Sequence, residues 1–111
     1  MALTLAGFDG WPGELRHVSK NISDGSDTTL ITGVVGKRIR IWQLILAPAA
    51  FNKSCVLKSG TDKFIAAFVY TPPETLIAGN IPLFTCNAGD DFKADPSDTT
   101  SWDFYIVYTI S

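Results

Sequence analysis

Apolar and polar side chains alternate with a period of two where this sequence is richest in isoleucine, leucine and aromatic residues. The alternation is clearest over 101–110, where one parity is apolar throughout: Trp102, Phe104, Ile106, Tyr108 and Ile110. Because successive side chains of a β-strand point to opposite faces, this segment predicts a strand with one buried face. Segment 37–47 alternates in its first half and is apolar on both faces in its second. That pattern predicts a strand in the middle of a sandwich, or one covered by a partner.

Clusters of Gly, Pro, Asp, Asn and Ser separate these apolar segments at short intervals, as turns do in β proteins. The candidate strands lie at 14–22, 28–32, 37–47, 54–58, 63–71, 76–78, 83–87, 92–94 and 101–110. Within 63–71, the residues expected to share one face are Phe64, Ala66, Phe68 and Tyr70. No segment has a convincing helical period. We therefore expect an all-β fold, a single jelly-roll-like β-sandwich of seven to eight strands.

Residues 1–13 differ from the rest, because three glycines and a proline interrupt any regular element while several apolar side chains remain. We expect an irregular N-terminal arm over 1–13 and a β-sandwich domain over 14–111. The arm is either a loosely packed terminus or a segment that docks its aromatic side chains on a neighbouring subunit. In the second case Phe8 and Trp11 are the candidate partner contacts.

The charge and hydrophobic content of the sequence indicate which classes of binding partner to expect. Nine basic and eleven acidic residues give a formal net charge of -2, which argues against nucleic-acid binding and against attraction to an anionic membrane. Hydrophobic residues reach 46% and charged ones only 18%, more apolar surface than a small domain hides easily. We therefore expect a homo-oligomer or a docked subunit. The first residues lack the basic and apolar regions of a signal peptide, so we expect synthesis in a cytoplasm.

The residue types that carry common chemistry are few and scattered. Cys55 and Cys86 are the only cysteines, and we expect buried free thiols rather than the alternative disulfide. His17, the only histidine, has no nucleophile motif near it in sequence, and two cysteines with one distant histidine do not form a zinc site. We expect no catalytic residues, no cofactor and no enzymatic activity.

The acidic segment 89–98 is the most suggestive polar stretch, because several carboxylates lie close together beside glycine and proline. Its spacing does not match the EF-hand calcium loop and it lacks the terminal glutamate of that loop. Aspartates also form turns by accepting backbone hydrogen bonds. We expect turn formation rather than ion binding.

The aromatic residues leave a second class of function open. Trp42 and Trp102 fall within strong candidate strands and are expected in the core, whereas Trp11, Tyr70 and Tyr105 are the better candidates for exposure. Exposed aromatic rings stack on the apolar faces of sugars. The alternative function is therefore a receptor- or carbohydrate-binding, lectin-like module that binds a glycan.

Five blocks of the sequence resemble, in the same order, blocks of small virion β-domains of tailed bacteriophages. They are the strand–glycine–strand block within 29–47 that contains Gly-Lys-Arg-Ile-Arg-Ile, Lys-Ser-Gly-Thr at 58–61, Pro-Leu-Phe-Thr at 82–85, Ala-Gly-Asp at 88–90 and the tyrosine-rich 105–108. The resemblance covers about residues 28–110. The sequence departs from the pattern of these phage domains at Pro72-Pro73 and in the aromatic N-terminal arm.

This resemblance implies a jelly-roll domain that decorates a capsid as a cementing subunit, or that forms part of a fibre or knob, often as a trimer. The resemblance implies no catalytic residue in this sequence. On this basis we expect a virion structural protein that is made in the host cytoplasm and acts through contacts between subunits. The departures concern how the copies assemble more than the fold.

Overall fold

The computed structural model describes residues 14–111, which form nine β-strands. In chain order they are β1 (Arg16–Ile22), β2 (Thr28–Ile31), β3 (Ile39–Pro48), β4 (Lys53–Ser59), β5 (Asp62–Val69), β6 (Glu74–Ile77), β7 (Phe84–Thr85), β8 (Phe92–Pro96) and β9 (Trp102–Ile110). The predicted arm, with Phe8 and Trp11, lies outside the described residues. No helix within residues 14–111 is long and apolar enough to cross a membrane.

The strands pair antiparallel in two sheets. One sheet has the order β1-β9-β3-β6, with β7 also pairing with β3, and the other has the order β2-β8-β4-β5. The chain crosses from one sheet to the other after every strand except β4 and β6, and the resulting strand order is that of a jelly roll. The predicted all-β, jelly-roll-like sandwich is thereby confirmed.

The described residues form nine strands where seven to eight were expected, and the edge beside β3 is divided between two of them, β6 and β7, which overlap the candidate strands 76–78 and 83–87. The Ala78 N–H donates to the Trp42 carbonyl at 2.8 Å and the Leu83 N–H donates to the Ile41 carbonyl at 2.7 Å. After β6 the chain therefore leaves its pairing with β3. It resumes this pairing as β7, at the residue of β3 that precedes Trp42. The excursion between these two bonds holds the exposed Ile81.

The two long segments with apolar alternation form neighbouring strands in the centre of the first sheet. β3 pairs with β9 over its whole length, and the register shifts between Ile41 and Gln43, which makes Trp42 the extra residue of a bulge. Trp42 and Trp102 are both buried, as predicted. The Trp42 Nε1–H donates to the Thr109 hydroxyl at 3.0 Å, so this bulge is tied to β9 by a buried side-chain hydrogen bond.

Both cysteines are free thiols in the core, as predicted. Burial raises the pKa of Cys55 to about 12, and the negative charge of Asp95 adds to the effect. Burial likewise raises the pKa of Cys86 to about 11, against a lowering by its hydrogen bond with Ser59. Thiols with such pKa values are almost entirely protonated at neutral pH, so they pack as small hydrophobic groups.

Candidate interaction surface

The residues considered for catalysis or metal binding are not brought together. His17 lies exposed on β1 opposite Val107 of β9. Among residues 14–111 no group of three or more His, Cys, Asp or Glu side chains is arranged to hold a metal ion.

The aspartates of the acidic segment join loops at one end of the sandwich. Asp91 accepts hydrogen bonds from the Gly33 N–H at 2.6 Å and from the Thr29 hydroxyl at 3.3 Å, while Asp90 accepts one from the Ser59 hydroxyl at 2.9 Å. The loops touch so closely that a Cβ on Gly33 would lie 2.5 Å from the Asp90 carbonyl oxygen. These carboxylates therefore link loops that are distant in sequence, whereas the predicted local turn is made by the backbone, where the Asp90 N–H donates to the Asn87 carbonyl at 3.0 Å.

The last aspartate of that segment, Asp98, lies at the opposite end of the molecule and ties two loops together. Its carboxylate accepts hydrogen bonds from the Lys53 ammonium at 2.7 Å and from the Thr100 N–H at 2.9 Å. The Lys53 hydrogen bond, followed by those with Thr100, lowers the pKa of Asp98 to about 2. This ion pair is solvent-exposed, so its role is to fix loop geometry more than to add stability.

Exposed apolar side chains concentrate on one side of the sandwich. Nine large hydrophobic side chains are exposed in the described residues, and five of them lie on β5, β6 or just after these strands. Those five are Ile65, Phe68, Tyr70, Ile77 and Ile81. We call this side of the molecule the β5–β6 surface. β5 and β6 are edge strands of different sheets, so the surface includes the seam where the two sheets end.

The sandwich is open along this seam. Ile65 lies opposite Leu57 in the β4–β5 ladder, and directly opposite residues of an antiparallel pair point to the same face. Leu57 is fully buried, so Ile65 also belongs to the inner face, yet it is 49% exposed. The inner face of β5 is therefore left partly uncovered by the opposite sheet.

A groove of about 180 Å³ follows from this opening. Its lining comes from both sheets: Leu46 and Leu76 from one, Ile65 and Phe68 from the other, and Phe84 of β7. The lining is apolar apart from Glu74, which stands at the start of β6. Apolar concavities with few polar groups are the usual form of a binding site, so this groove is a candidate contact site.

Three phenylalanines close the inner end of the groove. The Phe64 ring stacks on Phe84 with centroids 4.9 Å apart, and both lie within 6.4 Å of the fully buried Phe92. The β4–β5 register shifts between Leu57 and Lys58, and this shift makes Phe64 an extra residue on β5. The prediction that Phe64 shares a face with Ala66, Phe68 and Tyr70 is therefore wrong, because the bulge turns Phe64 to the core.

A second group of exposed rings stands at the end of β5. Tyr70 is 69% exposed, and its ring centroid lies 4.5 Å from that of Phe68. The Asn52 N–H donates to the Tyr70 carbonyl at 3.2 Å, which places the β3–β4 loop, with the exposed Phe51, beside Tyr70. The predicted exposure of Tyr70 is confirmed, as is that of Tyr105 on β9. Trp11 lies outside the described residues.

Most of the β5–β6 surface was missed by the sequence analysis. Ile77 and Ile81 stand in weak or turn-like segments, and their exposure depends on the split edge strand. The available signal was the run 64–70, seven apolar or aromatic residues in succession. Such a run without charge indicates either a central strand or an exposed edge that awaits a partner.

Comparison with known proteins adds no relative. A scan of protein-family models, a search of curated proteins and a search of solved structures each found no match for this chain.

Proposed function

We propose that this protein is a virion structural protein, either a capsid decoration (cementing) subunit or a small fibre or knob domain. It acts by burying apolar surface between subunits and carries out no reaction. The observation that carries the proposal is the β5–β6 surface, where Ile65 of the inner face stands half-exposed above an apolar groove. Exposed apolar surface of this kind marks contact sites on other proteins.

The jelly-roll fold is one that virion structural proteins use. Jelly rolls occur in viral capsid proteins, but also in lectins and cupins, so the fold alone does not select a function. The resemblance of 28–110 to tailed-phage virion domains favours the capsid or fibre role among these. In this proposal, the copies form a homo-oligomer and dock on a shell or fibre protein.

The N-terminal arm supplies the second contact in this proposal. Phe8 and Trp11 are the candidate anchors, because aromatic side chains often dominate the binding energy of protein interfaces. The arm would hold the subunit on the particle, while the β5–β6 surface would join copies. Each of these two contacts would bury about 800 Å² on each partner if it is of standard size.

An antibody raised against the purified chain tests the proposal directly. Particles released by the source organism are separated on a density gradient, and each fraction is probed for the chain and then imaged with gold-labelled antibody. The proposal expects the chain in the virion fractions, with gold on the shell or on the fibres. A chain found only in particle-free fractions would contradict it.

A carbohydrate- or receptor-binding module is the second candidate, and the ring group at the end of β5 favours it. Tyr70 and Phe51 present exposed rings in two segments that the hydrogen bond from the Asn52 N–H to the Tyr70 carbonyl holds together, and exposed rings offer stacking surfaces. A glycan array tests this function with the wild type and with Tyr70→Ala. Binding that is lost in the variant would favour the module, and an array without a hit would count against it.

A further inference from the structure

A small buried patch lies on the outer side of the first sheet, away from the core. Leu15 and Trp42 are 6% and 1% exposed, yet neither belongs to the hydrophobic core between the sheets. Thr109 is fully buried and stands between Tyr108 and Ile110 on β9. Both of these neighbours pack against the core, so the Thr109 side chain points to the outer side of the sheet.

Trp42 shares this side with Thr109, because its Nε1–H donates to the Thr109 hydroxyl at 3.0 Å. Leu15 lies on the same side through the β1–β9 register: Arg16 stands opposite Tyr108, and Leu15 comes next along the chain. We call Leu15, Trp42 and Thr109 the outer patch. Trp42, which was expected in the core, is thus buried outside it, and these side chains need a layer above them.

The residues that the structure describes do not supply that layer. All nine strands of the described chain belong to the two sheets, which face each other across the core. In the β2–β3 loop and in the β6–β7 excursion, residues 34–38 and 79–81 are exposed. Arg40 stands opposite Thr109, but its guanidinium donates to the Ser111 carbonyl at 3.4 Å.

We propose that residues 1–13 of the same chain form this layer and that the Trp11 ring packs on Trp42. The burial of the outer patch is a property of a single chain, so its cover belongs to that chain and not to a second copy. The arm joins the sandwich at the patch itself, since Leu15 stands two residues after residue 13.

The length of chain between Trp11 and the sandwich fits this contact. The four residues from Trp11 to Leu15 span about 13 Å when extended. The two strand spacings from β1 to β3 amount to about 10 Å. Trp11 is the last apolar side chain of the arm before Leu15, and it is the arm's largest. The Trp42 indole N–H is bonded to Thr109, so its contact with the arm is through the ring, as in stacked aromatic pairs.

This inference goes beyond the proposed function and does not depend on it, because the contact lies within one chain. In an attached subunit, Trp11 would hold the arm on the sandwich so that Phe8 projects from a fixed place. Labelling of particles and the experiment below are separate measurements, so either can fail while the other succeeds.

Acrylamide quenching of tryptophan fluorescence tests the cover in the full-length protein. Trp11→Phe and Trp11→Ala contain the same two tryptophans, Trp42 and the fully buried Trp102, and differ only in whether a ring stands at position 11. The quenching constant of Trp11→Ala should be about twofold higher, because one of two buried rings becomes accessible. Trp11→Phe/Val35→Ala shortens a side chain that is 95% exposed, and this matched control should behave as Trp11→Phe does. Circular dichroism confirms that every variant is folded.

A second measurement needs no variant. In NMR spectra of the wild type, nuclear Overhauser contacts should join ring protons of Trp11 and Trp42. An isotope-filtered spectrum of mixed labelled and unlabelled protein should show no such contact between different chains.

Three results would overturn the inference. They are equal quenching of Trp11→Phe and Trp11→Ala, quenching of Trp11→Phe that rises on dilution as a neighbouring copy dissociates, and ring contacts that are absent or found only between chains.

Discussion

Leu57 and Ile65 face each other across the β4–β5 ladder on the inner side of the sandwich, yet Leu57 is fully buried and Ile65 is 49% exposed. The difference arises because β5 is an edge strand and the opposite sheet ends at the divided β6–β7 edge. The hydrophobic core therefore continues to the surface on this side. An isolated chain leaves that surface in water, whereas the proposed assembly would bury it.

Alanine substitutions at these two positions should have unequal effects on stability. Leu57→Ala removes fully buried methyl groups and should lower the free energy of unfolding by about 3 kcal/mol. Ile65→Ala removes groups that are already half in water and should cost about 1 kcal/mol in the isolated chain. Urea denaturation of dilute protein, where association contributes least, measures both values. Equal losses at the two positions would show that the groove is closed in solution.

The buried thiols give a prediction about alkaline pH. The pKa of Cys55 is raised to about 12 and that of Cys86 to about 11, from an ordinary value of 9.0. Above about pH 9 the unfolded chain loses these protons while the folded chain keeps them, so stability that is fully present below pH 9 falls as the pH rises. A Cys55→Ala/Cys86→Ala variant should lose less stability between pH 8 and pH 10.5, measured by urea denaturation.

The rate at which a thiol reagent modifies the two cysteines tests their burial independently. Folded protein at pH 8 should react with a disulfide reagent such as Ellman's far more slowly than denatured protein, which should show both thiols at once. Rapid reaction of a thiol in the folded protein would contradict its burial.

Asp91 should matter for stability through its hydrogen bonds and not through an ion. Asp91→Ala leaves the Gly33 N–H without its carboxylate acceptor and should cost about 2 kcal/mol. Asp95→Ala is the matched control, because the Asp95 carboxylate accepts no hydrogen bond within residues 14–111. Thermal unfolding measures both variants and also the wild type with added calcium. Calcium should leave the wild-type Tm unchanged, and an increase would show that the segment binds ions.

Deletion of residues 1–13 separates the proposed arm from the sandwich. The truncated chain keeps all nine strands of residues 14–111 and the whole described core, so its far-ultraviolet circular dichroism and cooperative unfolding should remain those of a folded β protein. Its attachment to particles should be lost, because Phe8 and Trp11 are the proposed anchors. Normal attachment of the truncated chain would rule out this role, and the double variant Phe8→Ala/Trp11→Ala locates any loss within the arm.

The sequence predicts strands best where the alternation is long and complete. β9 and β3 were located closely because their apolar positions are repeated over nine and ten residues. The bulge at Phe64 was not foreseen, since an extra residue in a strand reverses the alternation without changing the composition. The openness at Ile65 was also out of reach, because it depends on which strands become sheet edges, and strand order is set by contacts distant in sequence.

The sequence likewise predicted only part of the β5–β6 surface and of the contacts made by the acidic segment. Exposure of Tyr70 and Tyr105 was foreseen from their positions, whereas Ile77 and Ile81 became part of the surface only through the split between β6 and β7. The turn at Asp90 was predicted, and its backbone forms one, but the loop-bridging role of the carboxylates at 90 and 91 was not foreseen. Their partners on the β2–β3 and β4–β5 sides could not be named, because these contacts join residues 31 to 62 positions apart.

The central claim is that the open β5–β6 side is buried between copies of the chain, and the mass of the full-length protein in solution tests it most directly. Light scattering after size exclusion should give a stable oligomer, at two or more times the chain mass of 12.0 kDa. A single species of 12.0 kDa at every concentration would contradict the claim, because the open groove would then face water in the purified protein.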